Sequence, residues 1–224
     1  MSGTTRAAWG APPIGVISNE SPVRRRNHAM ADFDQVQLVC AYERERGIRL
    51  HLDGSRLFNL PLHSGKSLKE ICAPFDTVYV SVWKHFNGSS GAILAGSSDF
   101  IAGLYHQRRL FGGALPQAWP QMAVAADYIE TYVADYAKAW RSVEEMMALL
   151  ENDGRFSFTR VPNGTCRFFM TVRDMDLDAL VQRARRNGVI LTNPDKQTGR
   201  FTLQVNTSVL RSSPEALSQM FSGS

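Results

Sequence analysis

An aspartate and a lysine stand out as groups that could do chemistry together. Asp53 lies in His51-Leu52-Asp53-Gly54-Ser55-Arg56-Leu57, and Lys84 lies in Val80-Ser81-Val82-Trp83-Lys84-His85-Phe86-Asn87-Gly88. Each segment reads as a strand that runs straight into a small-residue turn, and the two residues are 31 positions apart. In an α/β sheet, ligands bind at the strand ends. A lysine at that edge, partly withdrawn from water, has its ammonium form disfavoured and becomes a nucleophilic amine. A carboxylate beside it can keep a ring nitrogen protonated. Together they suit pyridoxal phosphate, with the lysine as a Schiff base and the aspartate against the pyridinium nitrogen.

The neighbours extend this set. Arg56, three residues after Asp53, can return to the same pocket and bind an anionic oxygen. His51 shares a strand face with Arg49 and Asp53, and His85 adjoins Lys84. Gly112-Gly113 ends an arginine-containing segment (Arg108, Arg109) and can approach a phosphate. Each also has a plainer reading. Lys84 can be a surface lysine, Asp53 a turn or N-cap residue, Arg56 half of a solvated ion pair, and the diglycine a helix C-cap.

Bulk properties narrow the class. The chain has 224 residues, is 44% hydrophobic and carries a formal charge of +4, enough for one core or for a domain plus a smaller one. Lys and Arg are spread out, with Arg24-Arg25-Arg26 the only dense cluster and Arg185-Arg186 a lesser one, so no nucleic-acid partner is expected. Cys40, Cys72 and Cys166 have no CxxC spacing and the histidines form no HxxxH pattern, so no metal site is expected. Isolated cysteines favour a reducing compartment. With no long apolar run and no signal-peptide core, a cytoplasmic protein without a membrane partner is the expectation.

The elements that must position these residues follow from periodicity and turn chemistry. Residues 1–13 read as a disordered start. Ile14–Ser18 reads as a strand, residues 33–46 as a helix ending at Gly47, and Ile48–Leu52 as a strand. Ser67–Cys72 suits a short helix, Val78–Val82 and Gly91–Ala95 strands, and Asp99–Phe111 a helix capped by Ser97 or Ser98. Alternation of this kind predicts an α/β fold, a mostly parallel sheet with helices. Residues 116–151 carry one long helical pattern. Beyond it, strands near 156–161, 166–172, 189–192 and 201–206, with helices near 176–187 and after Ser213, predict a small α+β unit. The expected organisation is 14–120, a connecting helix at 121–150, and 151–224.

Together these segments resemble the threonine aldolase/β-eliminating lyase family of pyridoxal-phosphate enzymes, in the aspartate-aminotransferase-like fold. The matching text is RGIRLHLDGSRLFN (46–59), VSVWKHFNGSSGAILAGSSDFI (80–101) and RRLFGGALPQA (108–118), with ISNESPVRRRNHAMADFDQ (17–35) upstream. The resemblance covers nearly the whole chain and is weakest after residue 150. It implies Lys84 as the Schiff-base lysine, Asp53 as the partner of the pyridine nitrogen, Arg56 on the cofactor's phenolic oxygen, and Arg109 reaching the neighbouring subunit's phosphate. It implies Arg200 as the arginine for the substrate carboxylate, with Arg211 the other candidate.

The chain also departs from the family pattern. Family members begin with a segment that carries the phosphate loop and the ring-stacking residue, and this chain is expected to lack it. His28 is not in the position of the stacking residue, and Pro116 replaces a second basic residue after the diglycine. The implied reaction is cleavage of a β-hydroxy amino acid to glycine and an aldehyde, in a homodimer or homotetramer. Two alternatives stay open: a truncated, cofactor-incompetent member with a binding or structural role, and a β-eliminating lyase.

Overall fold

The computed structural model describes residues 13–115 and 117–223; the expected disordered start, apart from Pro13, and Pro116 lie outside the described residues. In chain order the elements are β1 (Val16–Glu20), α1 (Phe33–Arg44), β2 (Arg49–Asp53), α2 (Leu60–Ser64), α3 (Leu68–Cys72), β3 (Thr77–Ser81), α4 (Val82–His85) and β4 (Ala92–Ala95). There follow α5 (Ser98–Ala102), α6 (Leu104–Leu110), α7 (Trp119–Ile129) and α8 (Tyr132–Glu151). The chain ends with β5 (Phe156–Arg160), β6 (Arg167–Val172), α9 (Leu177–Arg186), β7 (Arg200–Gln204) and α10 (Pro214–Ser222).

The first sheet has the order β1-β2-β3-β4. Its first three strands are parallel and β4 is antiparallel. The pairing Glu20↔Asp53 and Asp53↔Tyr79 brings the carboxyl ends of the parallel strands to one edge. Strand alternation then sorts the side chains by face. Leu50, Leu52, Val78 and Val80 are buried in the core, while His51, Asp53, Thr77 and Tyr79 take the other face. The mixed α/β architecture, with a parallel-dominated sheet and helices, is the one the sequence predicts.

Four elements differ from the sequence reading. Val82 leaves the sheet and opens α4, so Lys84 sits on a single helical turn beyond β3 and not on the strand itself. The 99–111 helix divides at Gly103 into α5 and α6, with Ser97 capping α5 through Phe100 N–H. The 116–151 pattern divides into α7 and α8 around Glu130–Thr131. The strand expected at 189–192 is absent. There the chain touches β7 through one bridge, Asp195↔Arg200, and through Thr192 Oγ1 donating to Thr202 O at 3.0 Å.

The helix α8 binds the halves together. Tyr132, Tyr136, Ala139, Trp140, Val143, Met146, Met147 and Leu150 are buried, a 3–4 spacing that puts them along one stripe. Each large member contributes on the order of 1.5–3 kcal/mol by leaving water. The stripe joins one continuous core with Leu52 and Val80 of the first sheet and with Phe168 and Phe201 of the antiparallel sheet β5-β6-β7. A second tie lies beside the strand edge. Met30 N–H donates to Asn163 O at 2.7 Å, Thr165 N–H to His28 O at 3.1 Å, and His28 Nδ1 lies 2.9 Å from Cys166 Sγ.

His28 and His85 are buried in this frame, and burial, with the Arg56 charge second, holds both near pKa 3. An unfolded histidine titrates near 6.5. As pH falls below that value, the unfolded chain takes up protons that the fold refuses, so stability is lost on acidification. The expected slope is up to about 1.4 kcal/mol per pH unit for each such histidine. Urea midpoints measured between pH 7 and pH 4 should fall steadily, and His85→Phe should flatten the curve.

Candidate active site

Asp53 is the last residue of β2, and its Oδ1 accepts the Ser55 N–H at 3.2 Å. The turn that follows is forced close to β3: Gly54 N–H donates to Tyr79 O at 2.9 Å. A Cβ on Gly54 would stand 3.0 Å from that carbonyl oxygen and 3.1 Å from Leu57 Cβ. The glycine therefore serves the approach of one backbone to another. Arg56 caps the 3-10 turn Leu57–Asn59 and is half-buried.

Lys84 stands between two concavities, each of about 440 Å³. The first is lined by Ser18, Glu20, Arg24, His51, Asp53, Ser55, Tyr79 and Lys84. The second is a cleft that runs to the β7 end of the other sheet. It is lined by Arg56, Trp83, Lys84, His85, Tyr128, Tyr132, Asp135 and Arg211, with Gln204, Asn206 and Ser208 among the others. The structure thus brings Asp53, Lys84 and Arg56 to one place, with Lys84 common to both hollows.

The electrostatics of Lys84 suit an amine that must lose its proton. Burial lowers its pKa, the Arg56 guanidinium lowers it further, and Asp53 pulls it back up. Its wall is apolar. Phe58 meets Phe86 edge-on at 4.8 Å, and His85 meets Tyr132 at 4.7 Å. Both ring nitrogens of His85 are buried without a partner. Lys84 Nζ lies 5.1 Å from the Trp83 ring centroid. Burial also lowers the Arg56 pKa, with Arg167 and Arg24 adding to the effect. Among the described residues no ion pair engages Arg24, Arg56, Lys84 or Arg211. Arg56 and Arg211, facing the cleft without an ion pair, suit an anionic ligand.

Other expected residues stand elsewhere. Arg109 is exposed on α6, 5.8 Å from the Tyr105 ring centroid, and lines neither hollow. Arg200 opens β7 with its guanidinium over Phe169 at 4.4 Å. The chain must run past Gln204 into the 3-10 turn Thr207–Arg211 before it reaches the cleft, so Arg211 lines it and Arg200 does not. His28 is sealed against Cys166. The diglycine caps α6, with Gly112 at φ +72° and Gly113 N–H donating to Arg108 O at 2.8 Å. Tyr128, Tyr132 and Asp135 went unseen because they sit in a uniform helical pattern. Arg24 was visible only as part of a charge run.

The ring-binding half of a pyridoxal-phosphate site fits what is present. A carboxylate at a strand end and an amine of lowered proton affinity share one hollow, with a guanidinium on the far side of the amine. Among the described residues no cluster of three or more His, Cys, Asp or Glu could hold a metal ion, and no helix is long and apolar enough to cross a membrane.

Comparison with known proteins agrees with this fold. The family model described as "Beta-eliminating lyase" matches residues 9–172. A low-specificity L-threonine aldolase from Candida albicans is 33% identical over 120 residues, which are 54% of this chain and 31% of the relative. A Listeria monocytogenes EGD-E structure assigned as an L-allo-threonine aldolase superposes with a TM-score of 0.74 at 25% identity, covering 96% of this chain and 62% of that one. A structure of SPT carrying PLP, with a TM-score of 0.59 at 16% identity over 93% of this chain and 54% of that one, shares the fold. The chain spans less than half the length of the first two curated relatives it matches, 31% and 46%. The chain belongs to the beta-eliminating lyase family, whose chemistry depends on pyridoxal phosphate.

Two outcomes follow from the geometry. The midpoint pH for acylation of Lys84, read by mass spectrometry, should lie below that of exposed lysines. It should rise in Arg56→Gln and fall further in Asp53→Asn. Gly54→Ala should cost about 1–3 kcal/mol of unfolding free energy through overpacking against Tyr79 O, read from urea midpoints.

Proposed function

We propose that this chain carries the ring-binding half of a pyridoxal-phosphate-dependent lyase that cleaves the Cα–Cβ bond of a β-hydroxy amino acid, giving glycine and an aldehyde. The observation that carries the reading is the placement of Asp53 and Lys84 on one hollow at the carboxyl edge of parallel strands. The name of the Candida albicans relative supports the substrate class.

When bound, pyridoxal phosphate supplies the electron sink for the bond that breaks. The chain's own residues do the rest. Lys84 supplies the amine that anchors the cofactor, and burial keeps more of that amine unprotonated. Asp53 offers a carboxylate to the ring nitrogen and favours its protonated form. Arg56, beside Lys84, suits the cofactor's phenolic oxygen, and Arg211 presents a cation to the cleft that suits the substrate carboxylate, a role the geometry favours for Arg211 over Arg200. Arg109, away from both hollows, is free to reach a second subunit. A homodimer or homotetramer is supported by exposed apolar side chains on and beside α6 and α7, where Leu110, Phe111 and Trp119 are 78%, 87% and 71% exposed. Division into a ring-binding unit (14–120), a connecting helix and a small unit (151–224) completes the proposal. Three free cysteines fit a reducing, cytoplasmic setting.

Adding pyridoxal phosphate to the purified chain should produce a visible absorption band, and borohydride should fix the label on Lys84. Lys84→Ala should abolish the trapped adduct, and Asp53→Ala should weaken binding at least about tenfold. Threonine should then yield glycine and acetaldehyde; pyruvate or 2-oxobutyrate in their place would assign β-elimination. A wild-type chain that gives no band and no adduct would support the cofactor-free binding role instead.

A further inference from the structure

The cleft beyond Lys84 contains a group of apolar side chains that neither the fold nor the proposed chemistry uses. Trp83, Tyr128 and Leu210 line it and remain 56%, 40% and 42% exposed. They come from three separate elements: α4, α7 and the 3-10 turn that ends at Arg211. Large apolar side chains left open to water along a cleft are a binding surface for an apolar group. Exposed as they are, they contribute little to the core.

Their place relative to the reacting amine narrows what that group is. Trp83 immediately precedes Lys84, and Nζ lies 5.1 Å from its ring centroid. On the proposed reading, the substrate amine takes the place of that nitrogen. The carbon bearing the substrate's side chain is then two bonds away, within reach of the indole. The hollow on the other side of Lys84 is lined by Asp53 and is reserved for the cofactor ring. Arg211 offers the cleft a cationic contact that suits the carboxylate. The apolar members of the lining, Trp83, Tyr128 and Leu210, are therefore left for the side chain.

We infer that Trp83, with Tyr128 and Leu210, is the specificity surface for the side chain on the substrate's β-carbon, and that it selects an aromatic or other large apolar group over the methyl of threonine. This rests on the lyase reading above. Aromatic rings favour offset or edge contacts with one another, which a methyl group cannot make. A methyl substrate would leave the indole in water. Trp83 acts here by contact with the part of the substrate that does not react, so its loss should be substrate-selective.

The test compares β-phenylserine with threonine as substrates of the cofactor-loaded chain, in the wild type, Trp83→Ala and Trp83→Phe. The wild type should favour β-phenylserine at least about tenfold in kcat/KM. Trp83→Ala should lose about tenfold on β-phenylserine, mainly in KM, while threonine changes less than about twofold. Trp83→Phe should keep most of the preference. Equal losses on both substrates, or a change in oligomer mass accompanying them, would overturn the inference and place Trp83 in service of Lys84 or a subunit contact. A binding measurement separates this from failure of the lyase reading: thermal-shift titration with phenylalanine and alanine. Tighter phenylalanine binding in the wild type and not in Trp83→Ala sustains the inference even if no substrate is cleaved. Equal binding in the wild type overturns it, whatever the activity.

Discussion

The parallel pairing of β1, β2 and β3 is the constraint on which the rest of the molecule depends. Glu20 opposite Asp53, and Asp53 opposite Tyr79, put three strand ends at one edge. Chain polarity then sends each following turn into the same space. Asp53 arrives there as the last residue of β2, and Lys84 arrives one helical turn beyond β3. A one-residue slip of β2 would turn Leu50 and Leu52 outward and Asp53 into the core. The buried leucines and the site aspartate are thus held by the same register.

Around this edge the structure trades solvation for reactivity. Phe58, Phe86 and Tyr132 pack tightly enough to leave His85 without a hydrogen-bond partner. Partial burial of Lys84, with the Arg56 charge second, lowers its proton affinity. Cationic residues on the opposite side find no carboxylate among the described residues, in contrast to Arg160, which pairs with Glu144 at 2.6 Å, and Lys196, which pairs with Asp178 at 2.7 Å. At the cleft itself Asp135 pairs with Lys138 at 2.9 Å, while Arg56 and Arg211 stand without an ion pair among the described residues. The second sheet completes the cleft because α8 and the 28–30 loop fix it against the first.

Much of this was legible in the residues, for local reasons. Alternation in Arg49–Asp53 set the face of Asp53, and Gly47 and Ser97 marked the end of one helix and the start of another. What was not legible was set by distant contacts. Nothing within Val78–Val82 says that the strand stops at Ser81 and that α4 begins. Val189–Thr192 has strand-forming residues but makes only a bridge and a side-chain bond to β7. Arg200 and Arg211 could not be ranked until the turn after β7 was seen to carry Arg211 to the cleft. Tyr128 and Tyr132 look like any helix aromatics until α7 and α8 are laid beside α4.

The central claim is that Asp53 and Lys84 grip opposite ends of one ring. Nitrogen NMR of the chain loaded with pyridoxal phosphate labelled at the pyridine nitrogen tests it most directly. The account predicts a protonated ring nitrogen in the wild type, and loss of that proton in Asp53→Ala while the label stays attached at Lys84. A ring nitrogen that is unprotonated in the wild type, or whose signal is the same in both proteins, would contradict it.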